Sequence, residues 1–547
     1  MSWHKRAVIY QIYPRSFYDS NNDGVGDLQG VIAKLDYIQS LGVDAVWLNP
    51  IYKSPNEDGG YDVSDFYSIQ PELGTMEDFH QLVAGLHLRN MKLIMDMVLN
   101  HSSDEHPWFQ QSRLSKENEF RDFYFWLPGK NGGPPNNWKS FFSGSAWQLD
   151  GATNEYYLHL FSGKQPDLNW DLPTVREEMK KIMRFWANKG VDALRLDVIT
   201  TISKRPGFPN SDQTDFNDTI RKVYANGPRL KEFVAELRRD VFDPAQMVTV
   251  GEGPGISPQN ALEYLDNEKG LSMIFHFGHM FLDQGSGGRF DPRKWSVEEF
   301  KRIFEEWDRA FAKQGWGAVF LGNHDFARMV SRWGNDKEYH VQSSKLLITL
   351  LLAMRGTPFI FQGDEIGMTN LILSSVNQSR DFETINGWRT AQKNGKSEKE
   401  FLENINYAGR DNARTPFQWN DQANAGFSSV PPWMMVNPNH TTINAAAQEN
   451  DRDSILNYFR AMVRIRKNSI PLTEGQYTTI ECQEKNLYVF ERQSDREKMI
   501  IILNLSSHEL EWPLDLTNHE KIIGNYEERH PRIRPWEAMI IKKSESR

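Results

Sequence analysis

Eight short apolar runs, rich in β-branched and aromatic residues, recur along the chain, and stretches of helical length separate most of them. The runs fall at 8–13, 45–48, 93–97, 193–197, 248–251, 273–277, 319–321 and 359–362. The helical stretches include 27–41, 76–89, 175–189, 231–242 and 297–313. Parallel strands need a crossover long enough to hold a helix. Helices on the sheet then bury its faces, so the strands read as continuous apolar runs. This order predicts an α/β fold, a parallel (β/α)8 TIM barrel. Periodicity alone leaves the open doubly wound sheet as a rival.

Two connections are too long for plain loops. Residues 102–170 carry Trp, Phe, Gly and Pro without a strong helical pattern, and they are expected to form a subdomain inserted after strand 3. The barrel then occupies 1–101 and 171–470, with a second long excursion at 363–450 after strand 8. From 471 the pattern changes to strands at 476–481, 486–492, 498–505 and 538–542, which predicts a C-terminal antiparallel β-sandwich domain over 471–547.

Charge and cysteine content narrow the function classes. The 547 residues carry a net charge of −10, which repels phosphate backbones and argues against nucleic-acid binding or a basic membrane-docking face. A single cysteine, Cys482, permits no intrachain disulfide and fits a reducing compartment. The longest apolar run, 346–354, is too short to span a bilayer. A soluble cytoplasmic protein is expected, a monomer or weak homo-oligomer that acts on a small neutral substrate.

In a parallel barrel the chemistry sits at the C-terminal ends of the strands. Asp96 and His101 flank the end of the third predicted strand. Arg195 and Asp197 end the fourth, Glu252 ends the fifth, and Asn323, His324 and Asp325 follow the seventh. Three acids from neighbouring strand ends would converge on one cleft. A pair of carboxylates is what glycoside hydrolysis needs: one donates a proton to the leaving oxygen, and the other attacks the anomeric carbon or activates water. Arg195 and Asp197 are two residues apart on a strand and point the same way, so the guanidinium is expected to hold Asp197 ionised. Glu252 must carry a proton, and the charges of Asp197 and Asp325 are expected to favour that.

Four of these segments, 96–101, 190–197, 251–252 and 323–325, resemble the four signature regions of the α-amylase superfamily, and Gln165-Pro166-Asp167-Leu168-Asn169 resembles a fifth. Within that superfamily the strings at 7–17, 362–368 and 410–416 look most like the oligo-1,6-glucosidase branch. The resemblance implies roles position by position. Asp197 would be the nucleophile of a retaining reaction, Glu252 the acid and then the base, and Asp325 the residue that binds sugar hydroxyls and favours the distorted ring. His101 and His324 would hydrogen-bond the bound glucose. Asp58 and Tyr61 would shape a closed pocket end, with Arg410 paired to Asp58, and Phe142, Phe161 and Gln165 would form more of the wall. A closed pocket implies exo action on short oligosaccharides. Val198, just after the nucleophile, goes with α-1,6 linkages in this branch, though a β-branched strand residue is an equally simple reading. Two positions depart from the family pattern: Phe326 replaces a usual Gln, and Gly59 stands where Asn is common.

The run from Asp19 to Asp27 places oxygen side chains at alternate positions around a glycine, as in a wrapped hard cation such as Ca²⁺. Position twelve of that run is Gly30, so the closing Glu of an EF-hand is missing. A polar loop braced by Asx turns is the alternative. The family resemblance implies a structural Ca²⁺ held by Asp19, Asn21, Asp23, Asp27 and the Val25 carbonyl. No organic cofactor is expected. Two other functions compete: a sucrose-active transglucosidase or isomerase, and a catalytically inactive structural homologue.

Overall fold

The computed structural model describes residues 3–266 and 269–543. Eight parallel strands close into a barrel: β1 (Ile9–Ile12), β2 (Ala45–Leu48), β3 (Lys92–Val98), β4 (Ala193–Asp197), β5 (Val248–Gly253), β6 (Met273–His276), β7 (Gly317–Val319) and β8 (Thr357–Phe361). They pair in sequence order, and β8 closes onto β1 through Ile9↔Phe359 while β1 meets β2 through Ile9↔Ala45. Closure removes the open-sheet rival.

The interior is filled rather than hollow. Trp47, Phe275 and Phe359, from the alternate strands β2, β6 and β8, meet with ring centroids 4.6–5.9 Å apart. This is the layered side-chain filling that a barrel of this size needs. The Arg195 guanidinium lies 5.3 Å from the Trp47 ring, so the aromatic layer is the floor on which the site stands.

Two expectations shift in detail. Strand β7 ends at Val319, two residues earlier than the predicted Leu321. The carbonyl of Phe320 is taken by His279 Nε2 at 2.7 Å and that of Leu321 by Trp333 Nε1 at 2.8 Å, so neither joins the ladder. The helix expected over 27–41 is two helices, Leu28–Ala33 and Leu35–Ser40. They meet at Lys34, whose ammonium lies 4.1 Å from both the Tyr18 and Trp419 rings.

After β3 the chain forms a small antiparallel sheet of Trp126–Leu127, Trp147–Asp150 and Glu155–Leu158 around its own core of Trp138, Trp147, Leu158 and Leu160. The isolated bridge His101↔Asp167 joins its base to the barrel, and Tyr124↔Leu168 ties the inserted segment to itself.

The C-terminal part is a single five-stranded antiparallel sheet among the described residues, in place of the expected sandwich. Its strands are β9 (Gln476–Ile480), β10 (Leu487–Gln493), β11 (Lys498–Asn504), β12 (His519–Gly524) and β13 (Ala538–Lys543), in the order β9-β10-β11-β13-β12. Tyr488, Phe490, Ile501 and Ile540 join the main core. Val489, Ile500, Ile502 and Ile541 face the other way and are covered by Leu510 and Ile533, which bridge to each other. A connecting segment thus does the work of a second sheet. Strand β12 escaped prediction because it is half-exposed along its length and carries a register shift between Lys521 and Ile523.

No helix among the described residues is long and apolar enough to cross a membrane.

Candidate active site

The strand ends deliver their acids to one point. Arg195 Nη1 lies 2.6 Å from Asp96 Oδ1 and 2.5 Å from Asp197 Oδ1, and its Nη2 lies 2.8 Å from Glu252 Oε2. The predicted nucleophile and acid therefore sit on the two ends of one guanidinium, which is itself sealed from solvent. Trp47 Nε1 and the Tyr61 hydroxyl each donate to Asp96 Oδ2 at 3.0 Å, which fixes the base of the cluster.

Three carboxylates against one guanidinium leave the cluster short of positive charge, and burial penalises every anion in it. Burial pushes Asp96 up to about 6 despite Arg195. It also pushes Asp197 up, with the charges of Glu252 and Asp96 adding to the rise while Arg195 opposes it. The expectation that Arg195 would simply hold Asp197 ionised is corrected accordingly: Arg195 does favour the anion, but burial is the larger effect.

Asp325 is different. Burial alone would raise it, but His324, Arg410 and Arg414 hold it well below the usual carboxylate range. Its Oδ1 lies 3.2 Å from Arg410 Nη1 and 2.9 Å from Arg414 Nη2. Arg410 also reaches Asp58 at 3.1 Å, as expected, and further Asp381 at 2.7 Å and Glu383 at 3.3 Å. Burial raises Asp58, against the pull of Arg410 and Arg414. Opposed to burial, Arg410 and Arg414 hold Asp381 down to about 2.

One pocket is lined by Asp58, Tyr61, His101, Phe142, Phe161, Asp197, Val198, Glu252, Asp325, Phe326 and Arg410, all of them singled out from the sequence. Three other expected site residues stand behind this wall. Arg195 lies beneath the floor. Gln165, expected in the wall, is fully buried, and its Nε2 braces Asp58 Oδ2 at 3.1 Å and faces His101 Nε2 at 3.2 Å. His324 is also fully buried and stacks on Tyr61 with centroids 5.3 Å apart. Its Nδ1 faces Gln11 Nε2 at 2.9 Å, and its Nε2 lies 3.2 Å from Asp325 Oδ2. Burial lowers His324 to about 3 and His101 to about 4, which keeps both rings neutral near pH 7.

The pocket includes residues that sequence reasoning missed: Phe141, Pro254, Phe277, Phe281, Arg289 and Glu383. Arg289 Nε lies 3.1 Å from Glu383 Oε1, and its guanidinium sits 5.2 Å from the Phe326 ring. Arg332 lies 5.0 Å from that ring as well, so Phe326 is packed between two cations. The other departure has a backbone reason. Gly59 has φ +59°, a conformation that Gly and Asn both tolerate, and a Cβ there would sit 2.8 Å from the Tyr13 hydroxyl.

The model of the alpha amylase catalytic domain matches residues 11–475. The chain belongs to the α-amylase family. It is similar to the oligo-1,6-glucosidase of Parageobacillus thermoglucosidasius, at 47% identity over 99% of both chains. The oligo-1,6-glucosidase of Bacillus cereus is 45% identical, again over 99% of both. Among solved structures, isomaltulose synthase from Klebsiella sp. LX3 superposes with a TM-score of 0.96 at 42% identity, covering 99% of each chain.

In this α-amylase-family chain the loop proposed for a cation is already knit together by its own donors. Asp19 Oδ1 accepts from the Asn22 N–H at 2.8 Å, and Asp19 Oδ2 from the Gly24 N–H at 2.9 Å and the Ser428 hydroxyl at 2.6 Å. Asp23 Oδ1 accepts from the Val25 N–H at 2.8 Å. Asp27 caps the helix Leu28–Ala33 by accepting from the Gly30 N–H. Among the described residues, no three His, Cys, Asp or Glu side chains group closely enough to hold a metal ion. The donor chemistry suits a hard cation, since every expected ligand offers oxygen, and the Asx turns keep Asp19, Asn21 and Asp23 on one short loop.

Proposed function

We propose that this glycoside hydrolase is a retaining, exo-acting α-glucosidase that removes terminal glucose from short oligosaccharides, with a preference for α-1,6 linkages. The observation that carries the reading is the placement of Asp197 and Glu252 on one buried guanidinium, beneath a pocket lined by the Asp58–Arg410 ion pair. In the first step the Asp197 carboxylate attacks the anomeric carbon while Glu252 gives its proton to the departing glycosidic oxygen, leaving glucose esterified to Asp197. In the second, Glu252 takes a proton from water as the water oxygen attacks the same carbon and the ester breaks. Two inversions return the α configuration. The neutral ring of His101 and the charged groups of Asp325 and Arg410 line the pocket, where they can hydrogen-bond ring hydroxyls.

The α-1,6 preference rests on Val198, which lines the pocket, and on the names of the full-length relatives. Incubation with isomaltose, maltose, sucrose and trehalose tests it, with products read by NMR at early times. Isomaltose should be cleaved fastest, releasing α-glucose first. Initial β-glucose would overturn retention, and faster maltose cleavage would overturn the linkage.

A second reading, transfer of glucose to another sugar or sucrose isomerisation, is favoured by Phe326 at the pocket wall and by the isomaltulose synthase fold match. The same assay separates the two, because an isomerase converts sucrose without releasing most of its glucose.

A structural Ca²⁺ in the loop of Asp19, Asn21, Asp23, Asp27 and the Val25 carbonyl belongs to the same proposal, as does a cytoplasmic location, which rests on Cys482 being unpaired.

A further inference from the structure

Val198 is more than a wall residue. Its backbone is left-handed, with φ 36° and ψ 40°, a region that β-branched residues rarely enter. Strain of this kind persists only where surrounding contacts impose it. Its consequence here is specific: the Val198 N–H donates to Glu252 Oε2 at 2.9 Å. The turn after β4 therefore holds one oxygen of the acid/base.

The contacts that impose the turn lead to a lysine. The Val198 carbonyl accepts from the Thr201 N–H at 2.9 Å and lies 2.8 Å from Thr201 Oγ1, which is also 2.9 Å from Asn100 Oδ1. Lys204 Nζ reaches Asn100 Oδ1 at 2.6 Å, the Thr201 carbonyl at 2.7 Å and Asp167 Oδ2 at 2.7 Å. An ammonium has three N–H donors; here it hydrogen-bonds Asn100 and the Thr201 carbonyl and meets Asp167 as an ion pair. These partners come from three places: the end of β3, the turn after β4, and the base of the inserted segment. Asp167 is itself fixed, since its Oδ1 accepts from the Leu160 N–H at 3.0 Å. Both members of the pair are buried, Lys204 and Asp167 alike. A buried ion pair adds little net stability over apolar packing, so what it supplies is a fixed geometry.

We propose that Lys204 is a positioning residue for the acid/base: by tying Asn100, Thr201 and Asp167 together it holds the Val198 turn, and through that turn the Glu252 carboxyl. The proposal rests on the α-glucosidase reading. Lys204 does not line the pocket, so on this proposal its effect reaches the reaction only through proton delivery to the leaving group.

That route gives a readout which general loosening would not move. A substrate with a poor leaving group, isomaltose, needs the proton, whereas 4-nitrophenyl α-glucoside leaves almost unaided. Lys204→Met and the gentler, nearly isosteric Thr201→Val should lower kcat/KM on isomaltose by about 30-fold while lowering it less than about threefold on the aryl glucoside. Thr201→Val keeps the test valid if Lys204→Met fails to fold. Equal losses on both substrates, or no loss in Thr201→Val, would overturn the positioning role alone. Wild-type protein that cleaves neither substrate would sink the α-glucosidase reading, and this proposal with it.

Discussion

Arg410 reaches Asp58, Asp325, Asp381 and Glu383 with one planar fork, and that geometry cannot be copied by an ammonium on a flexible stem. Arg410→Lys keeps the charge but loses the simultaneous contacts. Its kcat/KM on isomaltose should fall about a hundredfold, equivalent to about 3 kcal/mol of transition-state stabilisation. A loss under about threefold would mean that Arg410 merely balances the acids around it. At this scale the sequence was informative wherever a residue lies in a strand-end string. Asp197, Glu252, Asp325 and His101 belong to such strings, and Arg410 belongs to the string at 410–416 in the excursion after β8. Gln165 and His324 were placed in the right neighbourhood but one layer too far forward, because a motif gives position along the chain and not depth. Glu383 and Arg289 left no local signal. The first comes from a helix in the long excursion after β8, the second from the hairpin strand Gly288–Pro292, and only tertiary packing brings them together.

At the scale of elements, the barrel strands were legible because full burial makes them continuous apolar runs. What blurred them was side-chain capture of backbone groups, as at Phe320 and Leu321, which no periodicity records. The C-terminal sheet was legible in four of its five strands and misread in its layering, since the segment holding Leu510 and Ile533 covers a face without strand-like alternation. The loop after β1 offers a test at this scale. It is clasped to the distant 427–433 segment by the Asp19 N–H to the Phe427 carbonyl at 3.1 Å and by the Trp433 N–H to the Gly24 carbonyl at 2.8 Å. If Ca²⁺ binds the loop, it stiffens this clasp through preferential binding to the folded state. Chelator treatment should then lower Tm by about 2–5 °C and leave kcat at 25 °C unchanged, with added Ca²⁺ restoring the transition. Asp23→Ala should be indifferent to both. An identical Tm with chelator and with Ca²⁺ would contradict the metal.

Across the whole molecule, closure of the barrel does what no single element can. It places β3, β4 and β5 side by side, so that Asp96, Asp197 and Glu252 meet on Arg195 above a floor of Trp47, Phe275 and Phe359. The excursion after β8 then folds over the opening to supply Asp381, Glu383, Arg410 and Arg414. The charge balance of the site is thus a property of the entire fold: a floor of three acids on one guanidinium beside an arginine-rich wall. The direct test is to trap the enzyme with a 5-fluoro-α-glucosyl fluoride, digest it and locate the label by mass spectrometry. One glucosyl ester on Asp197 is predicted; a label on another residue, or steady turnover by Asp197→Ala, would contradict the account.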